Sequence, residues 1–317
     1  MPSKKVITVI GATGAQGGSV VSTFLDDPKL NKEWAVCAVT QDTSKESALY
    51  LADKGAVVVY GDLNDKASLI RALDGSYAVF GVTNYWEKMD ADLEVQQGKN
   101  LVEAVKAIGV KHFIWSSLPN VAELSRGKFQ NVYHFDSKAK VEEYARKLGV
   151  PATYFMAGFY MMGIPGQMFK GRGPGSQWTF ALPIGPGTLL PVFHPRDTGK
   201  YVKAIVLNAD KLLGQRVLGA RTYMTPQDIV DDFEEVFPVT SATARYLEVS
   251  EDTFHLILKS QGLPDFAITE VYESLKQMEE FGYFGDASLH ESHEFLEDSL
   301  TTWKEYAREA PTFEGFT

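Results

Sequence analysis

His134 and Lys138 stand one helical turn apart in the run YHFDSKAKVEEY, so a helix presents both side chains in one direction. An ammonium one turn from a titratable side chain suits proton transfer, because a neighbouring cation lowers the pKa of that side chain. Histidine can exchange that proton near neutral pH. Two outcomes stay open. Either His134 carries the proton, or it only hydrogen-bonds beside a ligand and proton transfer is lost. Ser116 and Ser117, at the end of the apolar run KHFIWS, add hydroxyl donors of the kind that orient a reacting group.

These residues need a scaffold, and Val6–Gly18 (VITVIGATGAQGG) supplies its start. Four apolar residues read as a strand buried on both faces. Gly11, Gly14 and Gly17 follow with the spacing G-x-x-G-x-x-G, and a helical pattern runs on through Val20, Val21, Phe24 and Leu25. Strand, glycine turn and helix in that order hold a dinucleotide pyrophosphate on a helix N-terminus. The end of the second strand reads which ribose is bound. There the chain has Thr40-Gln41-Asp42 with Ser44 and Lys45 nearby: Asp42 points to NAD, Lys45 could hold a phosphate, and Asp42 with Ser44 could instead cap the next helix. The choice between NADP(H) and NAD(H) stays undecided.

Further strands fall at Trp34–Thr40, Ala56–Tyr60, Tyr77–Val82, Lys111–Ser116 and Ala152–Ala157, separated by helical stretches that include Ser44–Lys54, Asp92–Ile108 and Asp136–Leu148. This alternation specifies an α/β fold, a Rossmann doubly wound parallel sheet, with ligands at the carboxyl ends of the strands. Residues 1–158 form the expected nucleotide-binding domain. Residues 159–317 form a smaller, mainly helical lobe for substrate or partner, with room for a late strand at Arg216–Ala220 to rejoin the sheet. Ile164–Pro195 is dense in glycine and proline and reads as irregular backbone over the cleft. Helices are expected from Asp197 to Leu207, from Pro226 to Phe237, after the cap at Ser250, and over Thr269–Phe281 and Leu296–Arg308, with a strand over Ala242–Val249.

The chain has 317 residues, 44% of them hydrophobic and 23% charged, enough for a real core. A net charge of −10 argues against direct contact with nucleic acid or an anionic membrane surface. The single cysteine, Cys37, lies in the apolar run Ala35–Val39 and reads as a buried thiol. Zinc-type cysteine spacing is absent, and no metal is expected. MPSKK leads straight into the first strand, and no run is long enough to span a membrane. The expected compartment is the cytoplasm, with nuclear entry open.

GATGAQGGSV, GDLND, VTNYWE, QGKNLVEAVKAIGVKHFIWSSL and HFDSKAKVEEYARKLGVPAT together resemble the NmrA-like family of atypical short-chain dehydrogenases. The VTNYWE and HFDSK segments are most similar to its redox-sensor members. The resemblance implies an NADP(H)- or NAD(H)-binding protein. Gly11, Thr13, Gly14, Ala15, Gln16 and Gly17 would hold the pyrophosphate, and Asp62 and Leu63 would flank adenine. Thr83, Asn84 and Tyr85 would line the cofactor channel, Lys138 would meet the ribose, and Tyr160 to Gly163 would approach the nicotinamide. Short-chain dehydrogenases carry their acidic tyrosine four residues before the lysine. Here that position is His134, and Tyr133 sits about 100° round the helix. Gln41 replaces the arginine of NADP-preferring members, Gln96 replaces a lysine, and Gly163 replaces an asparagine. The missing tyrosine favours a regulator that senses cofactor state and acts through a protein partner, a homodimer being compatible with that role. The alternative is a reductase of a small carbonyl, enone or quinone.

Overall fold

A computed structural model of the chain describes residues 4–171, 173, 176–238 and 244–316. Seven parallel strands form the central sheet: β1 (Lys5–Ile10), β2 (Trp34–Thr40), β3 (Val57–Tyr60), β4 (Ala78–Gly81), β5 (His112–Ser117), β6 (Ala152–Ala157) and β7 (Arg216–Gly219). Their order in space is β7-β6-β5-β4-β1-β2-β3. Every residue of β5 and β6 is buried, as strands covered on both faces require. The order reverses between β1 and β4, and the crevice at such a switch point is where an open α/β sheet binds its ligand.

Helices α1 (Ala15–Asp26) and α4 (Thr198–Leu207) cover one face; α2 (Ala91–Ile108) and α3 (Tyr133–Lys147) cover the other. Helices α5 (Glu251–Ser260) and α6 (Asp265–Phe281) belong to the C-terminal part. Each face of the sheet has its own apolar core, and a third core fills the C-terminal part around Phe169, Trp178, Phe233 and Phe313. Cys37 is buried and free. Among the described residues no helix is long and apolar enough to cross a membrane, and no group of metal-ligating side chains gathers.

Three expectations need correction. Ile164–Pro195 is not irregular throughout: it contains strands Phe169–Lys170, Trp178–Leu182 and Leu190–Phe193, which join two three-stranded sheets. Trp178, Phe180 and Leu182 alternate inward, and that alternation outweighs the neighbouring glycines and prolines. Leu296–Arg308 is not one helix. A helix covers only Trp303–Glu309, opened by a capping box at Thr302, because Asp197 takes the backbone N–H and hydroxyl of Thr301 and holds the chain before it. Helix α3 begins at Tyr133 rather than Asp136, which puts His134 in its first turn. The late strand at Ala244–Glu248 falls within the expected span, whose Ala242 and Thr243 lie outside the described residues.

Candidate functional site

The turn after β1 is shaped by close backbone contacts. Gly11 has φ +69°, and the Gly14 N–H donates to the Gly11 carbonyl at 2.9 Å. A Cβ on Gly17 would lie 2.2 Å from that same carbonyl oxygen, so only glycine lets α1 pack so near the turn. Gly14 caps α1 without a side-chain hydrogen bond, and the first turn of α1 holds no acidic residue. Its first N–H groups and positive end are thus presented to an anion, and a dinucleotide pyrophosphate fits them.

A cleft of about 1370 Å³ opens over the carboxyl ends of the strands. Gly11, Thr13, Gly14, Ala15, Gln16, Gly17, Gln41, Asp62, Leu63, Thr83, Asn84, Tyr85, His134, Lys138 and Tyr160 all line it. Gln96 and Gly163 are not among its lining residues. The Gln96 amide faces outward to Asn100, while Gln97, about 100° further round the helix, borders the cleft instead.

At the adenosine side, Gln41 Nε2 donates to Asp62 Oδ1 at 3.0 Å, and the same oxygen accepts from the Asn64 backbone and amide. Asp42 turns away to accept from the Ser44 backbone and hydroxyl, which hold its carboxyl below the usual range. That leaves Gln41 and Lys45 bordering the cleft. Deeper in, the Ser116 hydroxyl donates to Gln16 Oε1 at 2.9 Å, and Gln16 Nε2 donates to the Tyr160 hydroxyl at 2.5 Å. The turn is thereby tied to both β5 and the start of the C-terminal part. Burial pushes the Tyr160 hydroxyl up, so it keeps its proton at neutral pH.

Lys138 is buried, and its ammonium meets three acceptors: Glu94 Oε1 at 2.5 Å, Thr83 Oγ1 at 2.9 Å and the Thr83 carbonyl at 3.1 Å. Glu94, 2% exposed, also accepts from the Thr83 and Ser137 hydroxyls. A buried ion pair surrounded by hydrogen bonds in this way is costly to break from one side.

His134 is held by a residue far away in the chain. Glu270 Oε1 lies 2.6 Å from His134 Nδ1 and accepts the His134 backbone N–H at 2.8 Å, while Glu270 Oε2 accepts the Tyr85 hydroxyl at 2.6 Å. Glu270 comes from α6 and has no solvent exposure. With the carboxylate on Nδ1–H, the opposite nitrogen, Nε2, is the one left for chemistry. It is an acceptor in the neutral ring and a donor in the imidazolium. Trp86 and Phe135 each stand 4.8 Å from the imidazole, centre to centre, and fix its plane. Burial, reinforced by Glu270, raises the Tyr85 hydroxyl far above its ordinary value, so Tyr85 is a fixed donor there.

Glu94 and Glu270 are the two residues that reading the sequence missed. Each falls on the apolar stripe of its helix, Glu94 with Gly98, Leu101 and Val105, Glu270 with Ala267, Ser274 and Met278. A carboxylate at a core position must find a cation or donors, and that was the available signal.

The pattern of the NmrA-like family matches residues 3–307. The NmrA-like family domain-containing oxidoreductase FrzB of Cladobotryum sp. is 30% identical over 261 residues, covering 76% of this chain and 75% of its own. Among solved structures, NmrA, a negative transcriptional regulator, in complex with NADP superposes with a TM-score of 0.75 at 23% identity over 96% of this chain and 95% of its own. It has also been solved with NAD. Citrobacter sp. triphenylmethane reductase complexed with NADP(H) superposes with a TM-score of 0.75 at 20% identity over 96% of this chain and 99% of its own. At those identities the superpositions establish the fold.

Proposed function

The chain belongs to the NmrA-like family, and we propose that it is an NAD(P)H-dependent reductase in which His134 gives the proton. The observation that carries this reading is the Glu270 carboxylate on His134 Nδ1, which orients a ring nitrogen at the cleft where the tyrosine of other dehydrogenases is missing. Relatives named oxidoreductases, and a triphenylmethane reductase among the structural neighbours, support it.

The turn Gly11–Gly17 would hold the pyrophosphate through the N–H groups of α1, and Asp62 and Leu63 would border the adenine. Gln41 and Lys45 would meet the ribose 2′ position without an arginine, so both NADP(H) and NAD(H) would be admitted. Lys138, held by Glu94 and Thr83, would border the nicotinamide ribose. When bound, the reduced nicotinamide supplies a hydride to an electrophilic carbon. His134, as imidazolium, donates its Nε2 proton to the heteroatom that gains charge, and the neutral ring keeps Nδ1–H on Glu270. Glu270 touches no reactant; it is a positioning residue.

A second reading, a cofactor-sensing regulator acting through a protein partner, draws on Lys138. Its three N–H donors are already met by Glu94 and Thr83, so its present role is structural. Turnover separates the two readings. Oxidation of NADPH or NADH by an uncharged ketone, enone or quinone, lost in His134→Gln while cofactor affinity persists, is expected of the reductase. Tight cofactor binding with no oxidation by any of these acceptors would favour the regulator.

A further inference from the structure

We infer that the cleft takes an uncharged, largely apolar substrate that offers its hydrogen-bond acceptor to His134. This rests on the reductase reading and adds the substrate class. Charge is distributed unevenly around the cavity. Among the described residues, every charged side chain lining the cleft comes from the N-terminal half, from Lys45 to Lys138. From Gly158 onward the lining contains none. Its walls there are built by such residues as Phe159, Phe254, Leu258, Leu275 and Met278.

Apart from Lys45 at the far end beside Gln41, the charges on the other side are already engaged. Lys138 and Glu94 pair with one another, Asp62 accepts from Gln41 and Asn64, and Asp90 caps the Leu93 N–H at the start of α2. Lys88 and Glu87 lie 3.4 Å apart on the exposed rim. A carboxylate or phosphate entering the apolar half would therefore lose its hydration without meeting a cation, which disfavours it strongly.

Polar groups in the apolar half are few and mostly turned inward on the protein. The Ser274 hydroxyl donates to the Val271 carbonyl, and the Tyr283 hydroxyl donates to the Ala157 carbonyl. Gln167 and Gln261 sit at the exposed edge. The Tyr160 hydroxyl accepts from Gln16 and keeps its own proton, so His134 Nε2 and Tyr160 are the donors left for a carbonyl or imine in the cleft. The volume also suits two occupants. About 1370 Å³ exceeds the roughly 300–1,000 Å³ of a pocket for one small molecule, so a substrate fits beside the dinucleotide. Met168 and Met278, flexible and polarizable, let the apolar wall adapt to shape.

The test is calorimetric and needs no turnover. NADPH is titrated first, and then two matched probes, benzophenone and 4-benzoylbenzoate, are titrated into the loaded protein. The uncharged ketone is expected to bind at least about tenfold more tightly. Ile257→Lys, which puts a cation on the partly exposed wall of α5, is expected to narrow or reverse that ratio. Equal or tighter binding of the carboxylate to the unaltered protein would overturn the inference, as would binding of neither probe. Failure of both NADPH and, in its place, NADH to bind in the first titration would instead overturn the reductase reading on which the inference rests.

Discussion

One oxygen of Glu270 accepts both the ring nitrogen and the backbone N–H of His134, so a single carboxylate sets the position and the tautomer of the proposed acid. Glu270→Gln keeps the shape and removes the charge. It is expected to lower kcat by about a hundredfold, within the range of a mispositioned acid–base group, while cofactor affinity stays within about twofold. The ¹⁵N shifts of His134 are expected to change with it, a signal that a merely structural loss would not give. At the pyrophosphate turn, Gly17→Ala places a methyl 2.2 Å from the Gly11 carbonyl oxygen. Dinucleotide binding by titration is expected to be abolished, and the melting temperature to fall, because the turn and α1 must part. Gln41→Arg is expected to shift preference toward NADPH over NADH by about tenfold, read as the ratio of dissociation constants.

Helices and strands explain why some of the site was legible and some was not. The glycine turn, Asp62, Thr83 and Lys138 all follow strands whose apolar runs are plain in the sequence, so their arrival at one cleft follows from the parallel sheet. Glu270 could not be placed that way, because 136 residues and a change of architecture separate it from His134. Gln96 failed for a local reason: a shift of one residue on a helix turns a side chain by about 100°. Strand β5 gives a test of its own. His112 is buried, its Nε2–H donates to the Thr153 hydroxyl, and burial pushes its pKa down to about 4. Its folded value lies below the unfolded one of about 6.5, so the unfolded chain binds the extra proton first. The stabilisation is complete above about pH 6.5 and is lost as pH falls toward 4, on the order of 3 kcal/mol. Urea unfolding at both ends of that window, compared with His112→Gln, is expected to show a steeper loss in the unaltered protein.

At the scale of the whole molecule, the cleft has two unlike walls. The Rossmann half brings the glycine turn at the start of α1 and the paired charges, and the C-terminal half brings apolar surface and the carboxylate that holds His134. The doubly wound sheet was readable from strand–helix alternation. The two small sheets of the C-terminal part were not, because strands as short as Phe159–Tyr160 and Phe169–Lys170 carry too few residues for a period to show. If that second wall serves chemistry, hydride and proton must arrive together at one substrate. The most direct measurement is stopped-flow loss of reduced-nicotinamide absorbance when NADPH-loaded protein meets an uncharged ketone, for the unaltered chain and for His134→Gln. The decay is expected to be slowed by about a hundredfold or more in the variant at unchanged NADPH affinity. Equal rates in the two proteins, or no decay in either, would contradict this expectation.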